Sequence, residues 1–316
     1  MYRKIMGFLE AWKESKHRKP LILQGARQVG KTYSILEFGR THYENVAYFN
    51  FETNPKLNET FEENISPDYL IPILSHIAGQ TIVKEKTLIV FDEVQLCERA
   101  LTSLKYFCED APDYHIIVAG SLLGVAVNRA KFSFPVGKVD MKTLYPMDME
   151  EFMLALGEKD LVEQIKKCFH TDTPLPSALH DAAMQLYRQY LVVGGMPECV
   201  MQFAETKDYI LVRHTQDTIL ASYLNDMSKY NNLNEIKKTR LAYDNITVQL
   251  SKKNTRFQYK LIKKGGRASE FENAIEWLCL SGIVSQVYKV EQIKKPLENY
   301  RDIDAFKIYV SDLGLL

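Results

Sequence analysis

The segment "ILQGARQVGKTYSIL", residues 22–36, constrains the fold of this 316-residue chain more than any other stretch. It contains a glycine, four further residues and then Gly-Lys-Thr, which is the spacing of a phosphate-binding loop. In such a loop the backbone N–H groups converge on phosphate oxygens at the start of a helix. The residues of the predicted loop are Gly25, Ala26, Arg27, Gln28, Val29, Gly30, Lys31 and Thr32.

Both flanks of the loop have the patterns that this motif requires. The short apolar run at residues 20–23 begins with a proline and is typical of a buried parallel strand. After the loop, Ile35 and Phe38 recur at helical spacing. We therefore expect Lys31 to contact the β- and γ-phosphates of a nucleotide and the Thr32 hydroxyl to bind Mg²⁺. The alternative, a glycine-rich turn that precedes Lys-Thr by coincidence, does not account for the flanks.

A second segment, "TLIVFDEVQ" at residues 87–95, has an apolar run that ends in Asp92 and Glu93. The run predicts a buried strand, so the two acids lie at its C-terminal end. Asp92 is predicted to hold Mg²⁺ through water. Glu93 is predicted to polarise the attacking water as a general base. An acidic pair at a strand end is also common in plain turns, but a phosphate loop in the same chain favours the catalytic interpretation.

Three further strands, predicted at residues 45–53, 115–119 and 139–144, complete an α/β fold with helices between the strands. Because one of them lies between the loop and the acidic pair, Asp92 falls on the third strand, as in NTPases that insert an extra strand and carry a catalytic glutamate. Ser121 follows the fourth strand and is either a sensor of the γ-phosphate or attacking water, or a helix N-cap. The expected fold is a five-stranded parallel sheet with its ligand at the C-terminal strand ends.

The rest of the chain is predicted to be helical and then mixed. Helical patterns fill residues 151–235 and suggest a lid-like bundle. From residue 236, two helices enclose a short one at 258–263 and precede two β-rich segments, "IVSQVYKV" and "AFKIYVS". Three helices followed by a β-hairpin describe a winged helix. The predicted domains are therefore a P-loop domain at 1–150, a helical lid at 151–235 and a winged helix at 236–316.

A winged helix raises the question of DNA binding. Residues 252–267 form a basic tract without any acid. The helix that would enter a groove instead carries Glu270, Glu272 and Glu276, and it has no Lys or Arg. Carboxylates repel phosphates, and affinity for DNA depends on phosphate neutralisation. The pattern therefore disfavours DNA and favours protein contact or closure over the nucleotide.

The composition limits the partners and the compartment. Forty basic residues balance forty acidic residues, so the net charge gives no general attraction to nucleic acid or to an anionic membrane. The five cysteines include no CxxC pair, which argues against a zinc ribbon or a disulfide framework and fits a reducing compartment. The N-terminus lacks the apolar run of a signal peptide, and no stretch approaches the roughly 20 apolar residues of a membrane span. We expect a cytoplasmic protein.

Five segments together resemble a large family of prokaryotic AAA+-like ATPases: "LILQGARQVGKT", "LIVFDEVQ", "IIVAGSLLG", "FPVGKVDMKTLYPMDMEEF" and "LVVGGMPE". The resemblance runs from residue 16 to the last residue. It implies an AAA+ core, a helical lid and a winged helix, and it implies binding and hydrolysis of ATP. It also implies that Gly195-Met196-Pro197 packs on the adenine base. A turn that ends a helix is the alternative interpretation of that segment.

The chain departs from this family pattern at two points. Family members usually continue past the equivalent of Leu316 into a domain that resembles restriction-endonuclease folds. This sequence is either short for the family or part of a longer protein, and we predict no nuclease. Many members also have Gly-Arg where this chain has Gly137-Lys138, and lysine cannot make the bidentate contact of an arginine finger. Arg129 is a second candidate for such a finger, although a solvated surface arginine is the favoured interpretation.

The expected function is that of a Mg²⁺-dependent ATPase that acts as a molecular switch. ATP or ADP is the expected ligand, and an unidentified protein or a second copy of the chain is the expected partner. Two alternatives remain open: an adaptor that holds a nucleotide without turnover, and an ATP-regulated DNA-binding protein. The intact Glu93 favours turnover, and the acidic helix disfavours the DNA-binding alternative.

Overall fold

The computed structural model describes residues 1–121, 134–228, 233–252 and 256–316. It consists of two compact units, Met1–Tyr145 and Pro146–Leu316. Within the described ranges, every helix is too short or too polar to span a bilayer.

The first unit is built on a five-stranded sheet in which all neighbouring strands are parallel. The order across the sheet is β2 (Asn45–Asn50), β3 (Thr87–Asp92), β4 (His115–Ser121), β1 (Leu21–Gly25) and β5 (Asp140–Leu144). β3 and β4 are buried along their whole length, as expected for central parallel strands covered on both faces. The predicted α/β fold with a five-stranded parallel sheet is confirmed.

The C-terminal ends of β2 and β4 differ from the prediction. β2 ends at Asn50 rather than at residue 53, because the Asn50 Oδ1 accepts hydrogen bonds from the backbone N–H groups of Glu52 and Thr53 at 2.9 and 3.0 Å. This Asx-type turn takes the chain out of the sheet. β4 continues two residues further than predicted, to Ser121. Its register with β1 aligns Ser121 with Gly25.

Helices cover the sheet of the first unit, and an aromatic cluster packs beneath them. The described helices are α1 (Ile5–Glu14), α2 (Lys31–His42), α3 (Lys56–Glu63), α4 (Pro67–Ala78) and α5 (Glu98–Asp110). Phe51, Phe61 and Phe91 are almost fully buried, and their ring centroids lie 5.5–5.8 Å apart in edge-to-face pairs. Burying one such side chain contributes about 1.5–3 kcal/mol. Because Phe91 precedes Asp92, this packing fixes the end of β3 where the acidic pair begins.

The second unit contains helices and one antiparallel β-hairpin. The helices are α6 (Met149–Ala155), α7 (Lys159–His170), α8 (Ser177–Val193), α9 (Pro197–Thr206), α10 (Tyr209–Ser228), α11 (Leu233–Leu250) and α12 (Ala268–Leu280). The hairpin pairs β6 (Val284–Val290) with β7 (Arg301–Val310). The division of these elements into a lid and a winged helix stays a prediction.

The short helix predicted at residues 258–263 is a single 3₁₀ turn, Tyr259–Leu261. The chain is tied down just before this turn: the Phe257 N–H donates to the Phe306 backbone oxygen at 2.8 Å, and the Gln258 N–H donates to the Gln249 Oε1 at 2.7 Å. Gly265, with φ of 78°, then redirects the backbone. These constraints leave no room for a longer helix.

The C-terminal segment of the second unit returns to the end of α8. Asp312 is buried, and its Oδ2 accepts a hydrogen bond from the Gly195 N–H. Gly194 has φ of 76°, and a Cβ there would lie 2.1 Å from the Asp312 Oδ1. A Cβ on Gly314 would lie 2.4 Å from the Val193 backbone oxygen. Gly194 and Gly314 therefore allow the close approach of the two segments. Burial raises the pKa of Asp312 to about 6, and the hydrogen bond from Gly195 partly opposes this rise.

Candidate nucleotide site

The phosphate-loop motif forms the turn between β1 and α2. Gln28 and Gly30 have positive φ values of 62° and 88°, so the backbone curls within the loop before α2 begins. Gly25 has no room for a side chain, because a Cβ would lie 2.3 Å from the Leu144 backbone oxygen. The N–H groups of the first turn of α2 and the positive end of its dipole suit a phosphate group.

The Lys31 ammonium lies against the carbonyl oxygens of its own loop. Its Nζ donates to the backbone oxygens of Gly25 and Ala26 at 3.1 and 2.8 Å. Burial lowers the pKa of Lys31 to about 8, although the charges of Glu93 and Asp92 partly oppose this shift. A buried cation is stabilised by an anionic partner. The loop is therefore arranged to receive negative charge.

Thr32 and Asp92, the two predicted metal ligands, are in direct contact. The Thr32 Oγ1 donates to the Asp92 Oδ2 at 2.9 Å. The other carboxylate oxygen, Oδ1, accepts the Glu93 backbone N–H at 3.0 Å. Asp92 is only 5 % exposed. A hydroxyl and a carboxylate are the hard oxygen ligands that Mg²⁺ prefers, so this pair fits that ion.

Glu93 lies directly after β3, in a left-handed backbone conformation with φ of 53°. Such a conformation is uncommon for a residue with a side chain and is found more often at functional sites than elsewhere. The Gln95 Nε2 donates a hydrogen bond to the Glu93 Oε2. This contact gives the carboxylate a defined orientation next to the Thr32–Asp92 pair.

Two site residues that the sequence did not reveal lie on β2. The Tyr48 hydroxyl donates to the Asp92 Oδ2 at 2.7 Å, and the Asn50 Nδ2 donates to the Tyr48 hydroxyl oxygen at 3.2 Å. Burial raises the pKa of Tyr48 to about 12, so the hydroxyl keeps its proton. The sequence predicted the strand but contained no signal for its register with β3, which determines these contacts.

The remaining predicted site residues are distributed as follows. Ser121 ends β4, is 9 % exposed and is aligned with Gly25. The helix that Ser121 would cap in the alternative interpretation lies outside the described residues, as does Arg129. Pro197 is the first residue of α9 in the second unit. Lys138 precedes β5 and so lies at the N-terminal ends of the strands, opposite the phosphate loop at their C-terminal ends. Its Nζ forms an ion pair with Glu109 at 2.9 Å.

Comparison with known families identifies the first unit. Residues 17–153 match the family model described as an AAA domain. The first unit therefore has the fold of an AAA+-like P-loop NTPase domain. Residues 184–316 match a separate model, described as a domain of unknown function (DUF8612). The search of curated proteins found no significant match to this chain.

A solved structure with a TM-score above 0.5 agrees with the fold of this chain. A Walker-type ATPase of Pyrococcus abyssi superposes with a TM-score of 0.59 at 13 % identity, over 99 % of this chain and 94 % of that one. The Orc1 protein of Aeropyrum pernix in complex with DNA has a TM-score of 0.34 at 13 % identity, over 98 % and 87 % of the two chains. The RuvB Holliday junction branch migration motor of Thermotoga maritima has a TM-score of 0.37 at 14 % identity, over 89 % and 87 %.

Proposed function

We propose that this protein binds Mg-ATP on residues 25–32 and hydrolyses it, and that the ATP and ADP states act as a molecular switch. The observation that carries the proposal is the contact of the Thr32 Oγ1 with the Asp92 Oδ2 at 2.9 Å. These residues come from two separate motifs, 60 positions apart. Their contact beside Glu93 and Lys31 supplies the groups that phosphoryl transfer to water requires.

Each residue has a distinct role in this proposal. Backbone N–H groups of residues 25–32 bind the phosphates, and the Lys31 ammonium moves from the loop carbonyls to their negative charge. Thr32 and Asp92 hold Mg²⁺, which when bound neutralises charge that develops on the phosphate oxygens. Gln95 donates to the Oε2 of Glu93, which leaves Oε1 to accept the proton of the attacking water. Ser121 orients that water or the γ-phosphate.

The second unit has the switch role in this proposal. Pro197 packs on the adenine base, and the turn before it is held by the hydrogen bond from Gly195 to Asp312. Residues 151–235 act as a lid, and the winged helix at 236–316 contacts a protein partner. Two observations support a protein partner over DNA: Glu272 and Glu276 are exposed on α12, and Glu270 lies 3.5 Å from Lys263 of the basic tract.

A nucleotide-holding adaptor is the second candidate function. The observation that favours it is the hydrogen bond from Gln95 to Glu93, because a carboxylate engaged by a neighbouring amide is a weaker base for water. In this case the protein would bind ATP or ADP through the same loop and would not turn it over. The two candidates share the binding site and differ only in the role of Glu93.

The experiment that tests the proposal compares Glu93→Gln, Asp92→Asn and wild type by steady-state phosphate release and equilibrium ATP affinity. Glu93→Gln should keep ATP affinity and lose turnover by about 10²–10⁴-fold, because it removes only the general base. Asp92→Asn should also weaken ATP binding in the presence of Mg²⁺. Glu52→Gln changes an exposed carboxylate of the same unit and serves as the matched control.

The outcomes separate the two candidates. Absence of turnover in concentrated wild type, together with retained ATP binding, would favour the adaptor. Turnover by Glu93→Gln at the wild-type rate would place the base elsewhere. If every variant, including Lys31→Ala, still bound ATP, the assignment of the phosphate loop itself would be overturned.

A further inference from the structure

The Asp92 Oδ2 accepts hydrogen bonds from two hydroxyl groups. Thr32 donates to it from α2 at 2.9 Å, and Tyr48 donates from β2 at 2.7 Å. The phosphate-loop motif accounts for the first contact and not for the second. Tyr48 is 38 % exposed, so its ring is not simply a core side chain that happens to end near the carboxylate. The contact therefore calls for a role within the site.

The direction of the Tyr48 hydroxyl proton is determined by Asn50. The Asn50 Oδ1 accepts the backbone N–H groups of Glu52 and Thr53 at 2.9 and 3.0 Å, which fixes which end of the amide is the oxygen. The Nδ2 end consequently faces Tyr48 and donates to its hydroxyl oxygen at 3.2 Å. Because Asn50 donates a hydrogen bond to that oxygen, the hydroxyl proton of Tyr48 points to Asp92.

The strand register makes this chain of hydrogen bonds rigid. Asn50 is paired with Asp92 across β2 and β3, and Tyr48 lies two residues earlier on the same face. On the opposite face, the Phe49 and Phe91 rings pack with centroids 6.0 Å apart in the core. Both strands are thus anchored by core side chains directly next to the polar contacts. Rotation of the Asp92 carboxylate away from this orientation requires breaking the hydrogen bond from Tyr48.

We propose that Tyr48 is a positioning residue that holds the Asp92 carboxylate in the orientation that supports Mg²⁺, and so sets the Mg²⁺ affinity of the nucleotide site. This inference rests on the proposed function. Groups that hydrogen-bond to the ligands of a metal orient those ligands, and their removal typically weakens metal affinity by about 10–100-fold. Thr32 can turn its hydroxyl towards an ion, whereas Tyr48 remains to hold the carboxylate.

The test compares wild type with Tyr48→Phe in the full chain, using the Mg²⁺ concentration that gives half of the maximal gain in ATP affinity. The same titration with ADP gives a readout that does not depend on turnover. Tyr48→Phe should raise the half-maximal Mg²⁺ concentration about 10–100-fold. The two proteins should differ much less in ATP affinity in EDTA than with Mg²⁺, because the effect acts through the ion and Lys31 is unchanged.

Tyr69→Phe is the matched control. The Tyr69 hydroxyl donates to the Glu63 carboxylate on the surface of the same unit, so the variant removes a phenol-to-carboxylate hydrogen bond away from the site. It should leave the Mg²⁺ dependence unchanged. Thermal unfolding without nucleotide gives the temperature range in which both variants are folded, and the titrations are made within that range.

Two results would overturn the inference, and they differ from failure of the proposed function. An unchanged Mg²⁺ dependence in Tyr48→Phe would show that Tyr48 does not position Asp92. A lower Mg²⁺ requirement would show that Tyr48 competes with the ion for the Asp92 carboxylate. If wild type bound no ATP, or bound it equally well with and without Mg²⁺, the proposed function would fail first and this inference with it.

Discussion

The Arg3 Nη1 donates a hydrogen bond to the Val29 backbone oxygen at 2.8 Å, across 26 positions of the chain. Its Nη2 donates to the Tyr145 backbone oxygen, also at 2.8 Å. Arg3 is 3 % exposed. Val29 belongs to the phosphate loop, and Tyr145 follows β5 at the end of the first unit. One guanidinium group therefore hydrogen-bonds both the phosphate loop and the last residue of the first unit.

Replacing Arg3 with methionine should destabilise the first unit and weaken ATP binding. The variant keeps most of the side-chain volume but removes donors from two backbone oxygens, so we expect the free energy of unfolding to fall by about 2–3 kcal/mol. Urea unfolding can be followed by Trp12 fluorescence in a Trp277→Phe background. Arg40→Met, which alters an exposed ion pair with Glu37, is the control. Equal midpoints for the two variants would contradict the role of Arg3.

Two glycine-to-alanine substitutions in the same unit should change stability in opposite directions. Gly25→Ala places a Cβ 2.3 Å from the Leu144 backbone oxygen, so the loop must shift. The variant should lose about 1–3 kcal/mol of unfolding free energy and most of its ATP affinity. Gly7 lies in α1 with nothing within 4 Å of an added Cβ. Gly7→Ala should add about 0.5–1 kcal/mol and leave ATP affinity unchanged. ATP affinity retained in Gly25→Ala would argue against the close packing of this loop.

The sheet of the first unit could be predicted because its strands have a local signal. A central parallel strand is buried on both faces, and residues 87–92 accordingly form an almost continuous apolar run that ends at Asp92. The motif spacing likewise predicted that Thr32 and Asp92 belong to one site. The structure places their oxygens 2.9 Å apart, while their roles in metal binding stay predictions.

Arg3, Tyr48 and Asp312 could not be found from the sequence. Each acts through a partner that is distant in the chain: Arg3 reaches Tyr145 over 142 positions, and Asp312 reaches Gly195 over 117. Such contacts follow from the tertiary arrangement of the elements, and for Tyr48 from strand register, neither of which has a local signature. The helix predicted at residues 258–263 is shortened to Tyr259–Leu261 for a similar reason, since tertiary hydrogen bonds to Gln249 and Phe306 override a weak local preference.

The stability of the second unit should depend on the protonation of Asp312. Burial raises its pKa from 3.8 to about 6, so the folded state binds the proton more tightly than the unfolded state. The stabilisation is complete below pH 4 and is lost as the pH rises through 6, a difference of about 3 kcal/mol. Nearby Tyr190 and Cys199 have pKa values raised to about 12 by burial and do not titrate in this range.

Asp312→Asn tests this dependence, because asparagine carries no charge at any pH and retains an oxygen for the Gly195 N–H. Urea unfolding of the second unit is followed by Trp277 fluorescence in a Trp12→Phe background between pH 4 and pH 7. The free energy of unfolding should decline less with pH in the variant than in wild type. Other titrating groups are common to both proteins, so they cancel in the difference. Parallel curves would mean that Asp312 is charged in the folded state throughout this range.

ATP binding should take up a proton at alkaline pH through Lys31. With a pKa of about 8 in the free site, most Lys31 is neutral at pH 9, and bound phosphates should restore its charge. Calorimetric titration at pH 9 in two buffers of different ionisation enthalpy should therefore show uptake of nearly one proton, and uptake near zero at pH 6. ATP affinity should fall by up to about tenfold per pH unit above pH 8.

Two variants assign that proton to Lys31. In Lys31→Arg the guanidinium group stays charged at pH 9, so this variant should bind ATP without proton uptake. Lys31→Ala should lose the stabilisation by Mg-ATP, which in wild type is worth about 2.7 kcal/mol at a hundredfold excess over Kd. Because desolvation is the largest cause of the low pKa, the uptake measures how far the empty loop buries its own cation. Proton uptake near zero in wild type at pH 9 would mean that Lys31 is already charged before the phosphates bind. In that case the negative charges of Asp92 and Glu93 would stabilise the ammonium more than burial destabilises it.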